Sequence, residues 1–237
     1  MAKPFHFKEF TVHQDRCAMK IGTDGVLLGA WASINHHPFS VLDIGAGTGV
    51  IALMLAQRSS AELIDALEIE PNAYEQCVEN FEQSPWNDRL FCYHASLAEF
   101  VEEIEDTYDC IISNPPFYED TFTSPEKDRN TARFTEALSF KELLQAVSKL
   151  LSPQGNFSVI IPYKNEKEFR KLATAENLHL HKITHVQGHK NAPIKRSLLA
   201  FSRKESNIEQ TNLVIEKERH IYTEDYKKLV QEFYIKM

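Results

Sequence analysis

The chain has 237 residues, of which 43% are hydrophobic and 25% are charged, enough apolar material for one large or two small globular domains. This composition excludes a disordered or fibrous protein, and the absence of long apolar runs and of a signal-peptide pattern leads us to expect a cytoplasmic protein. The formal net charge of −8 disfavours a polyanionic partner if the charge is taken as a whole.

The N-terminal region is predicted to form a β-hairpin followed by a short helix. The alternating apolar residues of the first strand are Phe5, Phe7, Phe10 and Val12. A turn at Gln14-Asp15 would lead into a returning strand at Cys17–Ile21. Thr23 is a suitable cap for a helix that ends near Trp31.

From Ser40 onward, short apolar runs alternate with segments of helical period, which predicts a βαβ array with a buried parallel sheet. The predicted strands are Ser40–Ile44, Leu63–Ile69, Arg89–His94, Tyr108–Ser113 and Asn156–Ile161. The predicted helices are Gly49–Gln57, Pro71–Phe81, Leu97–Ile104 and Ser139–Leu151. We expect Pro153-Gln154-Gly155 to form a stop and turn before the last of these strands.

The remainder of the chain is predicted to add two closely joined, antiparallel strands and a final helix. The elements are a helix at Asn165–Glu176, a strand at Leu178–Val186, a loop at Gln187–Lys195, and strands at Arg196–Ser202 and Leu213–Ile215 before a helix at Thr223–Tyr234. We expect a single domain over 1–237, with a catalytic core at 39–204 flanked by extensions at 1–38 and 205–237.

Glycine is scarce but clustered, because six of the eight glycines fall within 28 consecutive positions. Gly45, Gly47 and Gly49 lie between a predicted strand and a predicted helix, where they permit a tight turn and the close approach of a ligand to the backbone. The spacing G-x-G-x-G, with Asp43 two residues before the first glycine, favours S-adenosylmethionine over a dinucleotide. The alternative is a plain turn between strand and helix.

An acidic residue at the end of the next strand supports a nucleoside cofactor. Glu68 closes that strand and can accept hydrogen bonds from ribose hydroxyls, with Glu70 as the nearby alternative.

A second motif, Asn114-Pro115-Pro116-Phe117, follows the fourth strand at the sheet edge where open α/β folds bind ligands. The Asn114 amide oxygen and the Pro115 carbonyl can each accept one N–H of an exocyclic amine of adenine, which is a poor nucleophile while its lone pair is delocalised into the ring. Phe117 can stack on the base. The motif therefore predicts methylation of an amine, with positioning as the main catalytic effect; a simple Pro-Pro turn is the alternative.

Together these motifs resemble class I S-adenosylmethionine methyltransferases with an N/D-P-P-Y/F motif, and specifically the bacterial tRNA1(Val) adenine-N6 methyltransferase family. The resemblance extends over nearly the whole chain, including Met19–Gly25 and the ending from Tyr222 to Tyr234. It implies a Rossmann-like α/β fold with a mostly parallel seven-stranded sheet whose last strand is antiparallel. It also implies methylation of the adenine 3′ of the anticodon in a valine tRNA.

The resemblance implies roles for further residues. Lys20, Thr23 and Asp24 match a stretch that flanks the cofactor and the base pocket in such enzymes. Ser96 stands where relatives often have an Asp that holds the adenine amino group of the cofactor, so that this contact is weaker or comes from a neighbour such as Glu99.

The charge distribution allows a tRNA substrate despite the negative total. The segment 62–109 carries a net charge of −13, whereas 163–204 carries +7. We expect tRNA to lie across the basic segment and the loop after Phe117, with the acidic half turned away. The substrate-binding candidates are Arg129, Arg133, Lys190, Lys195 and Arg196.

Other readings remain open at the level of sequence. Glutamine-N5 methylation of a release factor and guanine-N2 methylation of ribosomal RNA use related motifs, and a non-catalytic RNA-binding module is a third possibility. No metal site is expected: the four cysteines are widely separated, and we expect them to be reduced core residues. For the histidines at 179–189, edge or phosphate contacts are favoured over metal binding.

Overall fold

In the computed structural model, strands alternate with helices along the chain, and nine of the strands form one sheet. The structure describes residues 3–116 and 138–236. The strands are β1 (Phe5–His6), β2 (Thr11–Val12), β3 (Ser40–Ile44), β4 (Leu63–Glu68), β5 (Leu90–His94), β6 (Tyr108–Ser113), β7 (Leu151–Pro162), β8 (His179–His189), β9 (Ile194–Ser202), β10 (Glu209–Glu218) and β11 (Ile221–Tyr222). The helices are α1 (Thr23–Trp31), α2 (Val50–Arg58), α3 (Pro71–Glu82), α4 (Leu97–Glu103), α5 (Phe140–Leu150), α6 (Glu166–Ala175) and α7 (Glu224–Val230).

The sheet has the strand order β11-β10-β8-β9-β7-β6-β3-β4-β5, while β1 and β2 form a separate pair. The five strands from β7 to β5 are parallel to their neighbours within this group. β9 is antiparallel to both β7 and β8. The predicted α/β class, with its mostly parallel sheet and antiparallel last core strand, is confirmed. The sheet has two strands more than the seven that the resemblance implies: β10, which contains the predicted strand Leu213–Ile215, and β11.

The sheet is covered on both faces, which explains why its central strands are mostly apolar. Side chains of β6 alternate between the two sides: Cys110 and Ile112 face one apolar cluster, and Ile111 faces the other. Helices α1, α2, α3 and α7 contribute to the first cluster, and α4, α5 and α6 contribute to the second. The predicted β3 and β6 coincide with the observed strands because buried strands carry this largely apolar signal.

The N-terminal hairpin is shorter than predicted. β1 pairs with β2, and Phe7 N–H donates to the Phe10 carbonyl at 2.9 Å, so the turn lies at 7–10 rather than at Gln14-Asp15. The predicted return strand Cys17–Ile21 is wrong because side chains, not a strand partner, bind this backbone. The Ile21 N–H, for example, donates to the Gln14 side-chain oxygen at 3.0 Å.

The predicted stop at Pro153–Gly155 is also wrong, since β7 continues through it. Register with β6 passes from Tyr108 opposite Leu151 to Cys110 opposite Asn156, so the intervening residues form a bulge. A Cβ on Gly155 would lie 2.9 Å from the Tyr108 carbonyl oxygen. The glycine is therefore needed for close backbone approach, and the strand is not broken.

Several element ends differ from the prediction. Gly22 is the N-cap of α1 and Thr23 its first helical residue, without the predicted side-chain cap. The last helix ends at Val230, and the loop between β8 and β9 shrinks to 190–193. Within 3–116 and 138–236, no helix is long and apolar enough to cross a membrane.

Candidate active site

The predicted site residues converge at the carboxyl edge of the parallel strands. Ile44, the last residue of β3, lies opposite Leu67 of β4 and opposite Ser113 of β6. Gly45, Glu68 and Asn114 each come one residue later in the chain, so they lie side by side at this edge of the sheet. The Ser113 hydroxyl donates to the Ile44 carbonyl at 2.9 Å and ties the ends of β3 and β6 together.

The glycine-rich turn forms an open cradle above this edge. Gly45, Gly47 and Gly49 have φ angles of 75°, 56° and 77°, a region that favours glycine. A Cβ added to Gly45 or Gly47 would meet no atom within 4 Å, so both positions face open space. A Cβ on Gly49 would instead lie 2.5 Å from the Phe81 ring. The first two glycines thus leave room for a ligand, whereas Gly49 is needed for packing.

The Glu68 carboxylate lies directly beside the cradle. One of its oxygens accepts the Gly47 N–H and the other accepts the Glu70 N–H, both at 2.8 Å. Each carboxylate oxygen can accept a further hydrogen bond, so the group remains suited to ribose hydroxyls. Glu70, the alternative, accepts from Ala73 N–H as the N-cap of α3.

Asp43 lies beneath the glycine turn and is fully buried. One carboxylate oxygen accepts the Ala52 N–H in the first turn of α2 at 3.2 Å, and the other has no hydrogen-bond partner among the described residues. Burial, together with the charge of Glu68, raises the pKa of Asp43 to about 7. The side chain thus supports the start of α2 and retains an unused acceptor atom next to the cradle.

This raised pKa predicts a specific pH dependence of stability. Because the folded protein holds the Asp43 proton more tightly than the unfolded chain, the stability of the wild type relative to Asp43→Asn should fall as the pH rises from about 4 to about 7. Above that range the relative stability should no longer change with pH, and the total fall across the range should be on the order of 4 kcal/mol at most. Urea unfolding of both proteins between about pH 5 and 8 measures it. A difference that does not change with pH would contradict the assignment.

Helix α1 brings the predicted N-terminal residues to the cradle. A Cβ on Gly25 would lie 3.5 Å from Val50, and one on Gly29 would lie 2.8 Å from the Met54 sulfur. Gly29 therefore lets α1 pack closely along α2, whereas a Cβ on Gly25 would make an ordinary contact. This packing places Thr23 and Asp24 near the start of α2. The packing role of Gly29 was not predicted, although the four-residue spacing of Gly25 and Gly29 indicated a common helical face.

Asp24 and Arg196 were predicted for different ligands but bind each other. The Arg196 Nε donates to a carboxylate oxygen of Asp24 at 2.7 Å, and both side chains are about 30% exposed. This ion pair joins α1 to β9 across the site. Lys20 and Thr23, which precede Asp24 in the chain, are exposed. Burial is the main cause that raises the pKa of Cys17, and the nearby charges of Glu68 and Glu70 raise it further.

Ser96 follows β5 and acts as the N-cap of α4. Its hydroxyl donates to the Glu99 carboxylate at 2.6 Å and accepts the Glu99 N–H at 3.2 Å. This capping box was missed in the sequence, although Ser-x-x-Glu before an apolar run is its signature. The predicted contact of Ser96 with the cofactor adenine stays a prediction, and the carboxylate of Glu99 is adjacent to it.

The chemical motif is described up to its third residue. Asn114 is half-buried, Pro115 is buried and Pro116 is exposed. The predicted stacking residue Phe117 and the predicted substrate contacts Arg129 and Arg133 lie outside the described residues.

The basic candidates lie on the same edge as the motif. Since β8 runs parallel to β7, the β8–β9 turn lies at the carboxyl end of the sheet. Lys190 and Lys195 are exposed there. In the segments before 117 and after 137, the structure contains no group of His, Cys, Asp and Glu that could hold a metal ion.

Comparison with known proteins identifies similar chains. Residues 26–175 match the family model described as "Methyltransferase small domain". A tRNA1(Val) (adenine(37)-N6)-methyltransferase from Christiangramia forsetii is 58% identical, with 99% of both chains covered. A protein of the same name from Bacteroides fragilis is 44% identical, with 100% of both chains covered.

Solved structures are similar in fold. A predicted O-methyltransferase from Agrobacterium tumefaciens has a TM-score of 0.70 at 17% identity, covering 89% of this chain and 96% of that one. A putative RNA methyltransferase from Pyrococcus horikoshii has a TM-score of 0.53 at 16% identity, covering 73% and 80% of the two chains.

Proposed function

The chain belongs to the tRNA1(Val) (adenine(37)-N6)-methyltransferase family, and from this premise we propose that it methylates the N6 amine of the adenine 3′ of the anticodon in a valine tRNA. One observation carries the proposal. Ile44 of β3 pairs with Ser113 of β6, so Gly45 and Asn114, which follow them, lie next to each other. Cofactor cradle and amine acceptor are thus adjacent at one sheet edge.

The residues around the cradle fit S-adenosylmethionine. Gly45 and Gly47 leave open space where side chains would otherwise stand, and Glu68 offers acceptor positions for ribose hydroxyls. Asp43 is buried beneath the turn and supports the cradle by accepting the Ala52 N–H of α2. When bound there, S-adenosylmethionine supplies an electrophilic methyl group on a positively charged sulfur.

Asn114 and Pro115 prepare the amine for transfer. The Asn114 side-chain oxygen and the Pro115 carbonyl each accept one N–H of the adenine amine, which draws the hydrogens out of the base plane and restores nucleophilic character to the nitrogen. Two fixed acceptors achieve this without a strong base, since the amine proton can pass to water after transfer. Fixed geometry is effective because the acceptors need no reorganisation during the reaction.

The target adenine must leave its stack to reach this pocket, which costs a few kcal/mol of free energy. This cost is smallest for a base in a loop. An anticodon loop meets that requirement. The exposed Lys190 and Lys195 on the same sheet edge support a path for tRNA phosphates, while the acidic segment 62–109 supplies no such path.

Replacing Lys190 and Lys195 together by alanine should weaken tRNA binding and reduce its dependence on salt. Each lost phosphate contact lowers the slope of log K against log salt by about 0.7–0.9, so the slope should fall by roughly 1.4–1.8. Filter-binding titrations at several salt concentrations measure this slope.

Arg196 is left intact because its loss would also break the ion pair with Asp24. Lys149, in the last turn of α5, offers a matched lysine control. An unchanged slope for the double variant would place the tRNA elsewhere.

The direct test is incubation with methyl-labelled cofactor and total tRNA from a strain lacking this protein, followed by nucleoside analysis. The expected product is N6-methyladenosine at the position 3′ of the anticodon in valine tRNA. Label in ribosomal RNA or in a release factor would overturn the proposal in favour of guanine-N2 or glutamine-N5 methylation.

A further inference from the structure

Tyr163 leaves the sheet on the strand next to the chemical motif. β7 runs parallel to β6, with Val159 opposite Ser113, and Tyr163 directly follows the end of β7. β7 extends three residues beyond this register position, so Tyr163 stands about 10 Å further along the strand direction than Asn114. Both residues are at the carboxyl edge.

The Tyr163 ring is exposed yet rigidly supported. The residue is 43% exposed, and its ring packs edge-on against the His185 imidazole with centroids 5.1 Å apart. His185 is itself buried, and its Nε2 is 2.8 Å from a Glu166 carboxylate oxygen. The Ser197 hydroxyl donates to that same oxygen at 2.7 Å. Glu166 of α6, itself bonded by Ser197 of β9, therefore holds the His185 imidazole against which Tyr163 packs.

The charge near Tyr163 is suited to a polyanion. Lys164 follows it in the chain, and Pro162, which precedes it, pairs with Arg196 of β9. By contrast, the exposed Tyr93 lies on β5, within the segment of net charge −13. Phe39 is exposed at the opposite, amino end of β3. Arg196 shares its charge with Asp24, and Lys164 is the neighbouring lysine. Among these three aromatic residues, Tyr163 combines the substrate edge with neighbouring cationic side chains.

We propose that Tyr163 is a stacking residue for the nucleotide that flanks the target adenine in the RNA loop. This inference rests on the proposed function and deepens it, because it requires a single-stranded nucleotide beside the flipped base. A base next to an extruded nucleotide loses one stacking neighbour, and a fixed aromatic ring can replace that neighbour. Because the ring already packs against His185 in the free protein, the ordering cost on binding is reduced.

Substitutions at Tyr163 distinguish stacking from a structural role. Tyr163→Leu keeps apolar volume against His185 but removes the aromatic face, whereas Tyr163→Phe keeps the face. The Leu variant should raise the KM for an anticodon stem-loop of valine tRNA roughly 5- to 100-fold, and the Phe variant should retain most of the wild-type affinity. Cofactor affinity and the melting temperature should be unchanged in both. Phe39→Ala is the control for an exposed aromatic residue on the other edge.

A fluorescence measurement tests the contact without relying on turnover. Stem-loops carry 2-aminopurine at each position flanking the target, and its emission falls when it stacks. We expect lower emission in complexes with the wild type and Tyr163→Phe than with Tyr163→Leu, at one of the two positions. Equal emission and KM values within about twofold for Leu and Phe variants would overturn the inference. If the wild type binds the stem-loop but transfers no methyl group, the proposed function fails, while the emission still decides the role of Tyr163.

Discussion

Asn114→Ala should lose most methyl transfer while it retains cofactor binding. The substitution removes one of the two acceptors aimed at the adenine amine, and loss of a comparable fixed hydrogen-bonding group elsewhere lowers kcat by about 100- to 1,000-fold. The cradle at Gly45–Gly49 and the Glu68 carboxylate are untouched, so the Kd for S-adenosylmethionine should stay near that of the wild type. A tritium-transfer assay and a cofactor titration measure the two quantities.

Asn114→Asp provides the matched variant for this experiment. Its carboxylate keeps an oxygen of nearly the same reach, so it should retain more activity than the alanine variant. Turnover of Asn114→Ala close to the wild-type value would refute the proposed acceptor role. A parallel loss of cofactor affinity would instead show that Asn114 acts in cofactor binding.

Gly49→Ala and Gly45→Ala should separate packing from ligand access. Both residues have φ angles near +75°, where a side chain costs about 1–2 kcal/mol. At Gly49 the new Cβ would also collide with Phe81 and Cys77, which adds about 1–3 kcal/mol of overpacking. We therefore expect the free energy of unfolding to fall by roughly 2–5 kcal/mol for Gly49→Ala and by about 1–2 kcal/mol for Gly45→Ala.

Cofactor affinity should show a different pattern in the two folded variants. The Gly45 Cβ would enter the open space of the cradle, so the cofactor Kd should rise strongly although this variant loses less stability than Gly49→Ala. Urea unfolding and cofactor titration, performed on the same preparations, compare the two effects. Equal losses of stability in both variants would contradict the packing role given to Gly49.

The central fold and the placement of the motifs could be predicted from sequence because their signals are local. β3 and β6 are short, mostly apolar runs, and the three glycines with positive φ angles follow β3 directly. Because parallel strands place their carboxyl ends together, the sequence alone predicted Glu68 and Asn114 beside the cradle.

Features that depend on partners distant in the chain could not be predicted in this way. The segment at Cys17–Ile21 is apolar enough for a strand, but its backbone is satisfied by side chains such as that of Gln14. Arg196 was assigned to RNA from charge alone, whereas its ion pair with Asp24 spans 172 positions. Gly155 resembled a turn residue, because a bulge and a turn use the same residue types.

The placement of β9 has a consequence for the nascent protein. β9 lies between β7 and β8, so the hydrogen-bonding edge of β7 beside the buried run Phe157–Ile161 stays open until β9 has been made. About 40 residues separate Pro162 from Ser202, which at bacterial elongation rates corresponds to roughly 2–8 s. An uncovered apolar strand edge is a template for aggregation. Conditions that slow translation between these residues should therefore lower the yield of folded protein, even though the finished chain covers that edge completely.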